Sequence, residues 1–230
     1  MCCRILLWPE ILNDTVGGVP VDVSYCPLCN SATVFDCRFG KRTLVFGNTG
    51  RLCHYDMPMY GHDTESWWQQ FLGEAVMGKL IGRRLKTVPP RLELLGQVRT
   101  RLPYRKILVP RAPTARTSVT TPYVRMDTRA DELAYDLPKG VRSFERVVVV
   151  GDRAWTLRLI SKRRRLEADE LILTWIAGQN FIHDAKWIAF GRDVGSATVS
   201  QRTNIGLEVG PYDVAFTFAA IRPVGTIYME

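Results

Sequence analysis

Hydrophobic and polar residues alternate along much of this chain, and turn-forming residues separate the alternating runs. A period of two is typical of a strand that buries one of its faces. The first clear run follows a Gly17-Gly18 turn and consists of Val19, Val21, Val23 and Tyr25. Further strand-like runs, alternating at 155–159, 197–199 and 214–218 and continuously apolar over most of 147–150 and 170–175, follow later in the chain. The pattern predicts a mainly β protein, a β-rich α+β fold of antiparallel strands and hairpins with a few short helices.

Two local signals in the first half refine this prediction. Residues 33–38 and 42–46 flank a glycine-containing turn, which indicates a compact hairpin. Residues 64–71 favour one short helix, because Asp63 or Thr64 offers a side chain that can cap its first turn. The sequence therefore predicts a hairpin followed by a helix in this region.

Later segments carry weaker signals. Glycines bracket residues 75–77 and 79–81, which favours short strands joined by tight turns. Residues 91–101 favour an amphipathic helix. The basic residues 162–165 lie between two strand-like runs and are interpreted as the exposed end of a hairpin.

The chain divides into three predicted segments. Six prolines between residues 89 and 122 interrupt any long element in the middle of the chain. Residues 1–90 are predicted to form a β-rich half, and residues 91–135 a connecting segment rich in Pro and Arg. Residues 136–230 are predicted to form a second β-rich half that packs on the first.

Composition excludes several classes of protein. Of the 230 residues, 46% are hydrophobic and 23% are charged, which is the balance of a globular protein and not of a disordered, collagen-like or coiled-coil chain. No stretch reaches the ~18 consecutive apolar residues of a membrane-spanning helix, so a soluble domain is predicted. The apolar start is interrupted at Pro9 and carries no secretory signal pattern.

Positive charge is concentrated in one segment. The chain has 31 basic and 23 acidic residues, a net charge of +8, and the stretch from Arg83 to Arg125 alone holds eleven basic residues against Glu93. Such a segment can attract an acidic protein partner. Nucleic acid is a less favoured partner, because Tyr104 and Tyr123 are the only aromatic residues there to stack on bases.

The sharpest chemical motif is Tyr25-Cys26-Pro27-Leu28-Cys29. A Cys-x-x-Cys pair can hold a soft metal ion or cycle between dithiol and disulfide. In thioredoxin-like proteins the first Cys opens a helix, whereas a loop and a strand are predicted after Cys29, so that activation is missing here. The structural alternative is a buried cysteine pair in a tight turn.

A metal at this pair would need further ligands from elsewhere in the chain. A structural zinc site needs four ligands, and the sequence contains no second Cys-x-x-Cys. Soft thiolate and thioether donors favour Cu(I), so copper and zinc are both candidate cofactors. The available donors are Cys37, Cys53, His54, Met57, Met59 and His62. The predicted metal or redox site consists of Cys26, Cys29, His54 and Met59.

The densest run of polar and aromatic residues spans residues 52–70 and is interpreted as a pocket wall. The favoured function is binding of a small molecule or a metal ion at the cysteine pair. An enzyme with a Trp-lined pocket is the alternative, with His54 or His62 as the acid–base group. Both histidines could instead be solvated while Trp68 fills the core. The predicted pocket residues are Tyr25, Asn30, Asp56, Tyr60, Glu65, Trp68 and Gln70.

Other chemical signals are thin. His183 is interpreted as a surface residue or a satisfied loop residue, and Arg192 with Asp193 as an ion pair that stabilises a turn. The sequence has no Gly-x-Ser-x-Gly, no Gly-x-x-x-x-Gly-Lys followed by Ser or Thr, and no Gly-x-Gly-x-x-Gly. These absences disfavour hydrolase and nucleotide-dependent chemistry.

Taken together, the motifs resemble the bacterial domain of unknown function 3179 family. The similar stretches are Trp8-Pro9-Glu10-Ile11, Gly17-Gly18-Val19-Pro20-Val21, Tyr25-Cys26-Pro27-Leu28-Cys29-Asn30-Ser31-Ala32, Leu44-Val45-Phe46-Gly47, Thr64-Glu65-Ser66 and Asp213-Val214-Ala215-Phe216. The resemblance is most specific over the first ninety residues. It implies no assigned activity, and it implies a periplasmic or cell-envelope location because many members look exported. Pro9 and Gly61 stand where family members often carry His and Asp, which implies impairment of any site built on those residues.

Overall fold

The computed structural model describes residues 3–108, 123–128, 137–185, 188–221 and 225–228. The predicted mainly β fold with antiparallel sheets is confirmed. Residues 109–122 and 129–135 of the predicted connecting segment lie outside the described residues, and 109–122 also belongs to the predicted basic segment.

The elements follow one another along the chain as helices and short strands. The first half contains α1 (Cys3–Leu6), β1 (Ile11–Val16), β2 (Val19–Cys26), β3 (Ser31–Asp36), β4 (Arg38–Phe39), β5 (Arg42–Thr43), β6 (Phe46–Asn48), β7 (Pro58–Gly61), β8 (Trp67–Gln69), β9 (Glu74–Met77) and β10 (Lys86–Thr87). The rest contains α2 (Leu95–Arg101), a 3-10 helix (Met126–Thr128), β11 (Arg146–Val150), β12 (Arg153–Thr156), α3 (Leu157–Arg163), β13 (Arg165–Ala168), β14 (Leu171–Ile176), a 3-10 helix (Ile188–Phe190), β15 (Ser196–Thr203), β16 (Gly206–Val209), β17 (Asp213–Phe216), α4 (Thr217–Ala220) and β18 (Thr226–Tyr228).

The first sheet has the strand order β1-β2-β3-β10 and carries the cysteine motif. β1 and β2 form a hairpin about the predicted Gly17-Gly18 turn, whose residues have φ angles of 59° and 80° that favour glycine. β2 and β3 form the next hairpin, in which Cys26 lies opposite Ser31. The Cys-x-x-Cys is therefore the bend that joins two paired strands of one sheet.

The second sheet has the order β6-β7-β8-β9, and it corrects the predicted helix over residues 64–71. Those residues contain strand β8, which pairs with β7 on one side and β9 on the other. Trp68 is fully buried and meets the rings of Phe39 and Phe46 edge-on, each at a centroid distance of 5.9 Å. Adjacent tryptophans suit a strand between two partners, so tertiary pairing outweighs the capping signal at Thr64.

Other local predictions need smaller corrections. Residues 79–81 form a turn and not a strand, whereas β9 matches the strand predicted at 75–77. The hairpin around Gly40 is present, but its paired strands β4 and β5 have only two residues each. α2 lies within the helix predicted at residues 91–101.

The strand predicted over residues 155–159 ends early. β12 stops at Thr156, whose hydroxyl accepts a hydrogen bond from the Leu159 N–H at 3.2 Å and so caps α3. The basic run 162–165 is therefore the end of α3 and the start of β13, and not a hairpin end. Leu157, Leu159 and Ile160 are buried, so one apolar run serves both a strand and a helix.

The second half adds a sheet of order β17-β11-β12-β18 and another of order β13-β14-β15-β16. β17 lies beside β3 of the first sheet. The backbone N–H of Phe216 donates to the Cys29 carbonyl at 2.8 Å. One core cluster accordingly contains Cys26, Cys29 and Trp68 together with Val147 and Phe216. The cysteine bend is thus packed against a strand from the far end of the chain.

Every helix within the described ranges falls short of the length and apolar character that a bilayer span requires.

Candidate functional site

The candidate site is centred on the bend between β2 and β3. The sulfurs of Cys26 and Cys29 lie 2.6 Å apart, and the side chains are 2% and 0% exposed. The Cys29 N–H also points at the Cys26 sulfur, at 3.3 Å. Asn30 turns the chain back into β3 with a φ of 51°, a left-handed conformation that Asn adopts more readily than most residues. The bend therefore holds both sulfurs together inside the protein.

A buried carboxylate completes the centre. Asp56 is 1% exposed, and its Oδ1 lies 3.1 Å from Cys29 Sγ, within S–H···O hydrogen-bond distance. Its Oδ2 accepts the Phe71 N–H at 2.9 Å, which fixes the orientation of the carboxylate. One sulfur or oxygen atom from each of Cys26, Cys29 and Asp56 lies within 4.8 Å of the other two.

Burial sets the protonation of these groups. It raises the pKa of Asp56 to about 6, although hydrogen bonds from Phe71 and Cys29 oppose the change. Burial also raises the pKa of the Cys29 thiol, and the neighbouring Cys26 and Asp56 raise it further. At neutral pH Cys29 is accordingly a thiol that donates to an ionised Asp56.

A second group of buried polar residues supports the bend from the side of β2. The Tyr25 hydroxyl lies 3.1 Å from Asn30 Oδ1 and 3.1 Å from His183 Nε2. His183 is fully buried, so the interpretation as a surface residue is wrong, whereas a satisfied loop residue is correct. Burial lowers the pKa of His183 to about 4, and a hydrogen bond with the Pro27 backbone opposes that change. His183 is therefore neutral at physiological pH.

Salt bridges of Arg192 hold the loop that carries His183. Its guanidinium lies 2.6 Å from Asp184 and 2.8 Å from Asp127. The predicted pair of Arg192 with Asp193 is wrong, because the Asp193 carboxylate instead accepts backbone N–H groups of Gly178 and Gly195. Arg192 thus joins the loop that carries His183, through Asp184, to Asp127.

The structure brings together the central part of the predicted site. Tyr25, Asn30 and Asp56 contact one another or the cysteine pair. Met59 is fully buried in the same core cluster as both cysteines. The side chain of His54 is exposed, and His54 is not a member of the Cys26–Cys29–Asp56 group.

The remaining predicted pocket residues lie in different surroundings. Tyr60 is half-buried on β7, with its ring 5.6 Å from that of the exposed His62. Glu65 is exposed, whereas Trp68 fills the core as the alternative interpretation had it. Gln70 is fully buried and hydrogen-bonds the β2–β3 hairpin. A ligand role for His54 or Met59 and an acid–base role for His62 stay predictions.

Sequence reasoning missed two residues that lie beside Tyr25 and His183. The Glu10 carbonyl accepts the Tyr25 N–H at 2.8 Å, and burial raises the pKa of its side chain to about 7. The Tyr123 ring lies 5.8 Å from that of His183, and burial raises the pKa of its hydroxyl, as do Glu10 and both cysteines. Glu10 lies in a stretch that carries the family resemblance but shows no catalytic or ligand pattern, and Tyr123 is remote in sequence, so neither is marked as a neighbour of Tyr25 or His183.

Left-handed backbone also collects around the pair. Glu10, Asn30, His54 and Tyr55 have φ angles of 60°, 51°, 54° and 62°. Each such non-glycine residue costs about 1–2 kcal/mol and persists only where surrounding contacts impose it. The Tyr55 carbonyl, for example, lies 3.4 Å from the Cys29 sulfur. The contact with Cys29 accordingly helps to hold the strained backbone of Tyr55 in place.

Comparison with known proteins decides the relationship of the chain. The model of the family described as protein of unknown function (DUF3179) matches residues 2–219. The chain belongs to this family. The DUF3179 resemblance drawn from the motifs is therefore confirmed. No curated protein matches the chain, and no solved structure matches it.

Pro9 and Gly61, the two positions at which this DUF3179 member departs from the family residues His and Asp, have different surroundings. Pro9 is exposed, whereas Gly61 is buried on β7. A Cβ atom at Gly61 would lie 2.9 Å from Thr64 Oγ1 and 3.4 Å from Trp68 Nε1, which has no hydrogen-bond partner among the described residues. A larger residue at 61 thus requires Thr64 to move.

Proposed function

We propose that Cys26 and Cys29 form a dithiol–disulfide redox couple in which Asp56 takes up a thiol proton. The observation that carries this proposal is the 2.6 Å separation of the two sulfurs beside a carboxylate oxygen 3.1 Å from Cys29. A disulfide bond needs an S–S distance of ~2.05 Å, so only a small shift separates the dithiol from the bonded pair. A strand and not a helix follows Cys29, so no helix N-terminus activates the thiol. Asp56 is therefore the activating group.

The reaction is an exchange with an external disulfide. One cysteine sulfur attacks that disulfide, releases the first external thiol and forms a mixed disulfide. The second cysteine sulfur then attacks the mixed disulfide, and the Cys26–Cys29 bond forms as the second external thiol leaves. Two electrons pass from the cysteines to the external disulfide, and the two thiol protons end on its products. Asp56 holds the Cys29 proton during the second step.

Binding of zinc or copper at the pair is the second candidate, and three donor atoms within 4.8 Å support it. Two thiolates on one tetrahedral zinc, each at ~2.3 Å, are about 3.7 Å apart. The sulfurs at 2.6 Å would have to separate by roughly 1 Å to share a metal. The sulfur separation therefore supports the redox couple better.

Metal analysis tests this preference directly. We expect protein purified without chelator to contain no stoichiometric zinc or copper, and titrated Zn²⁺ to bind no more tightly to the native chain than to Cys26→Ser. Elemental analysis and competition with a chromophoric chelator measure both quantities. One tightly bound ion per native chain, lost in Cys26→Ser, would instead establish the metal site.

Peptide mapping tests the couple itself. Cleavage after Arg4 and Arg38 releases residues 5–38, a peptide that holds Cys26, Cys29 and Cys37. After incubation with a small disulfide, denaturation and alkylation, we expect this peptide to carry one label and to have lost two hydrogen atoms. The expected internal disulfide joins Cys26 to Cys29, because Cys37 is buried with no sulfur beside it among the described residues.

Matched serine variants complete the test. Cys37→Ser should keep the internal disulfide, whereas Cys26→Ser and Cys29→Ser should each abolish it. Three labelled cysteines in the wild-type peptide after oxidation would contradict the proposed function.

The cell-envelope location implied by the family resemblance agrees with the couple, since disulfides persist in oxidising compartments. Attraction of an acidic partner to the segment from Arg83 to Arg125 is a separate proposal, tested by the salt sensitivity of binding.

A further inference from the structure

Gln70 lies between the segment that carries Asp56 and the hairpin that carries the cysteines. Its backbone N–H donates to the Met57 carbonyl at 3.1 Å. The next residue, Phe71, donates its N–H to the Asp56 carboxylate at 2.9 Å. The backbone on either side of the Gln70 side chain is thereby attached to residues 56 and 57.

The Gln70 side chain reaches the cysteine hairpin and binds both of its strands. Its Nε2 donates to Thr33 Oγ1 at 2.8 Å and lies 3.4 Å from Ser24 Oγ. Its Oε1 accepts from Ser31 Oγ at 3.3 Å. Ser31 lies directly opposite Cys26 in the sheet, and Ser24 precedes Cys26 by two residues on β2. The side chain therefore contacts the strands on both sides of the cysteine bend.

An amide is the side chain that this place requires. Gln70 is 0% exposed, so a polar group here is costly unless it is hydrogen-bonded. An amide offers a donor and an acceptor on one end, which matches Thr33 and Ser31 at the same time. Methionine has a similar length and would fill the space without making either bond.

We infer that Gln70 is a positioning residue of the redox couple, one that sets the contact between the Cys29 thiol and Asp56. The inference rests on the proposed function. The contact exists only while Cys29 carries a proton, so it stabilises the dithiol over the disulfide. Removing the Gln70 bonds frees the Asp56 segment from the hairpin, and the dithiol loses part of that stabilisation.

The test measures the dithiol–disulfide equilibrium of the full chain in glutathione buffers, read by peptide mapping. We expect Gln70→Met to shift the equilibrium about tenfold toward the disulfide, which corresponds to about 30 mV for a two-electron couple. Gln69→Met is the matched control. Gln69 is a neighbouring buried glutamine whose Oε1 accepts the Leu72 N–H at 2.7 Å, and its substitution should leave the equilibrium unchanged.

A double variant separates positioning from a general loss of stability. In an Asp56→Asn background, Gln70→Met should produce little further shift, because the charged contact on which it acts is gone. Thr33→Val removes the shortest of the Gln70 side-chain bonds and should reproduce the direction of the shift if Gln70→Met fails to fold.

Three results would overturn the inference. The first is a wild-type equilibrium in both Gln70→Met and Thr33→Val while the pair still cycles. The second is an equal tenfold shift in the Asp56→Asn background, which would show that Gln70 does not act through Asp56. The third is a wild-type pair that never forms the disulfide, which would overturn the proposed function along with it.

Discussion

Asp22→Asn is expected to raise the free energy of unfolding at pH 8 by about 2–4 kcal/mol, from the shift of its pKa at ~1.4 kcal/mol per unit. Asp22 lies on β2 with no exposed surface, and neither carboxylate oxygen makes a hydrogen bond within the described residues. Burial raises the pKa of Asp22 from 3.8 to about 7. Above pH 7 the folded protein must therefore hold an unpaired charge in its core.

The sign of the pH dependence follows from that shift. The unfolded chain loses the Asp22 proton near pH 4, whereas the folded chain keeps it until about pH 7. The Asp22 contribution to stability therefore falls as the pH rises from about 4 to about 7, and it stays low above that range. The neighbouring Cys37 thiol adds no charge, because burial raises its pKa to about 12.

Urea unfolding at pH 8 and pH 5 checks this expectation. Asn should stabilise the protein strongly at pH 8 and far less at pH 5, where wild-type Asp22 is already protonated. Asp14→Asn changes an exposed residue of the neighbouring strand β1 and should alter stability by less than about 0.5 kcal/mol. A loss of stability on Asp22→Asn at pH 8 would show instead that the carboxylate is ionised and well satisfied.

Asp56→Asn is expected to slow oxidation of the cysteine pair at pH 7.5 by about 100-fold, the lower range for removal of a general base. The asparagine side chain keeps the size of Asp56 and can still accept a hydrogen bond, but it cannot take up the Cys29 proton. Burial raises the pKa of Asp56 to about 6, so the wild-type rate should rise between pH 5 and pH 7 as that group ionises.

The oxidation rates are measured by quenching samples with an alkylating reagent at timed intervals and mapping the peptides by mass spectrometry. The variant should lose the inflection near pH 6 while keeping the increase that thiol ionisation produces at higher pH. Asp63→Asn serves as the control, because Asp63 is an exposed carboxylate seven residues after Asp56. The cysteine pair of this variant should oxidise at the wild-type rate. An unchanged rate and pH profile in Asp56→Asn would remove the proton-holding role of Asp56.

Sequence predicts best the strands that have a clear local pattern. β2 follows a period-two pattern, β11 and β14 follow short continuous apolar runs, and all three are present in the structure. The region of β8 was predicted as a helix, because a cap signal is local whereas the pairing of β8 with β7 and β9 is not. α3 was missed because one apolar run fits either period until Thr156 caps it.

The candidate site also has a part that sequence predicts and a part that it does not. The cysteine pair is local in sequence, so its four residues identify it without a structure. The contact with Asp56 spans 27 positions, and the one between Tyr25 and His183 spans 158. Nothing in the composition around His183 marks it as a neighbour of the motif, since the contact joins residues that are far apart in the chain. Long-range contacts of this kind lie beyond pattern reading.

The hydrogen bond from Phe216 to the Cys29 carbonyl has a consequence for how the protein can be divided. A fragment that ends before β17 would carry both sulfurs yet lack the strand that seals them from solvent. Its thiols would then react with alkylating reagents faster than the buried thiols of the intact chain. The seclusion of the pair is thus a property of the entire polypeptide and cannot be transplanted with the four-residue motif.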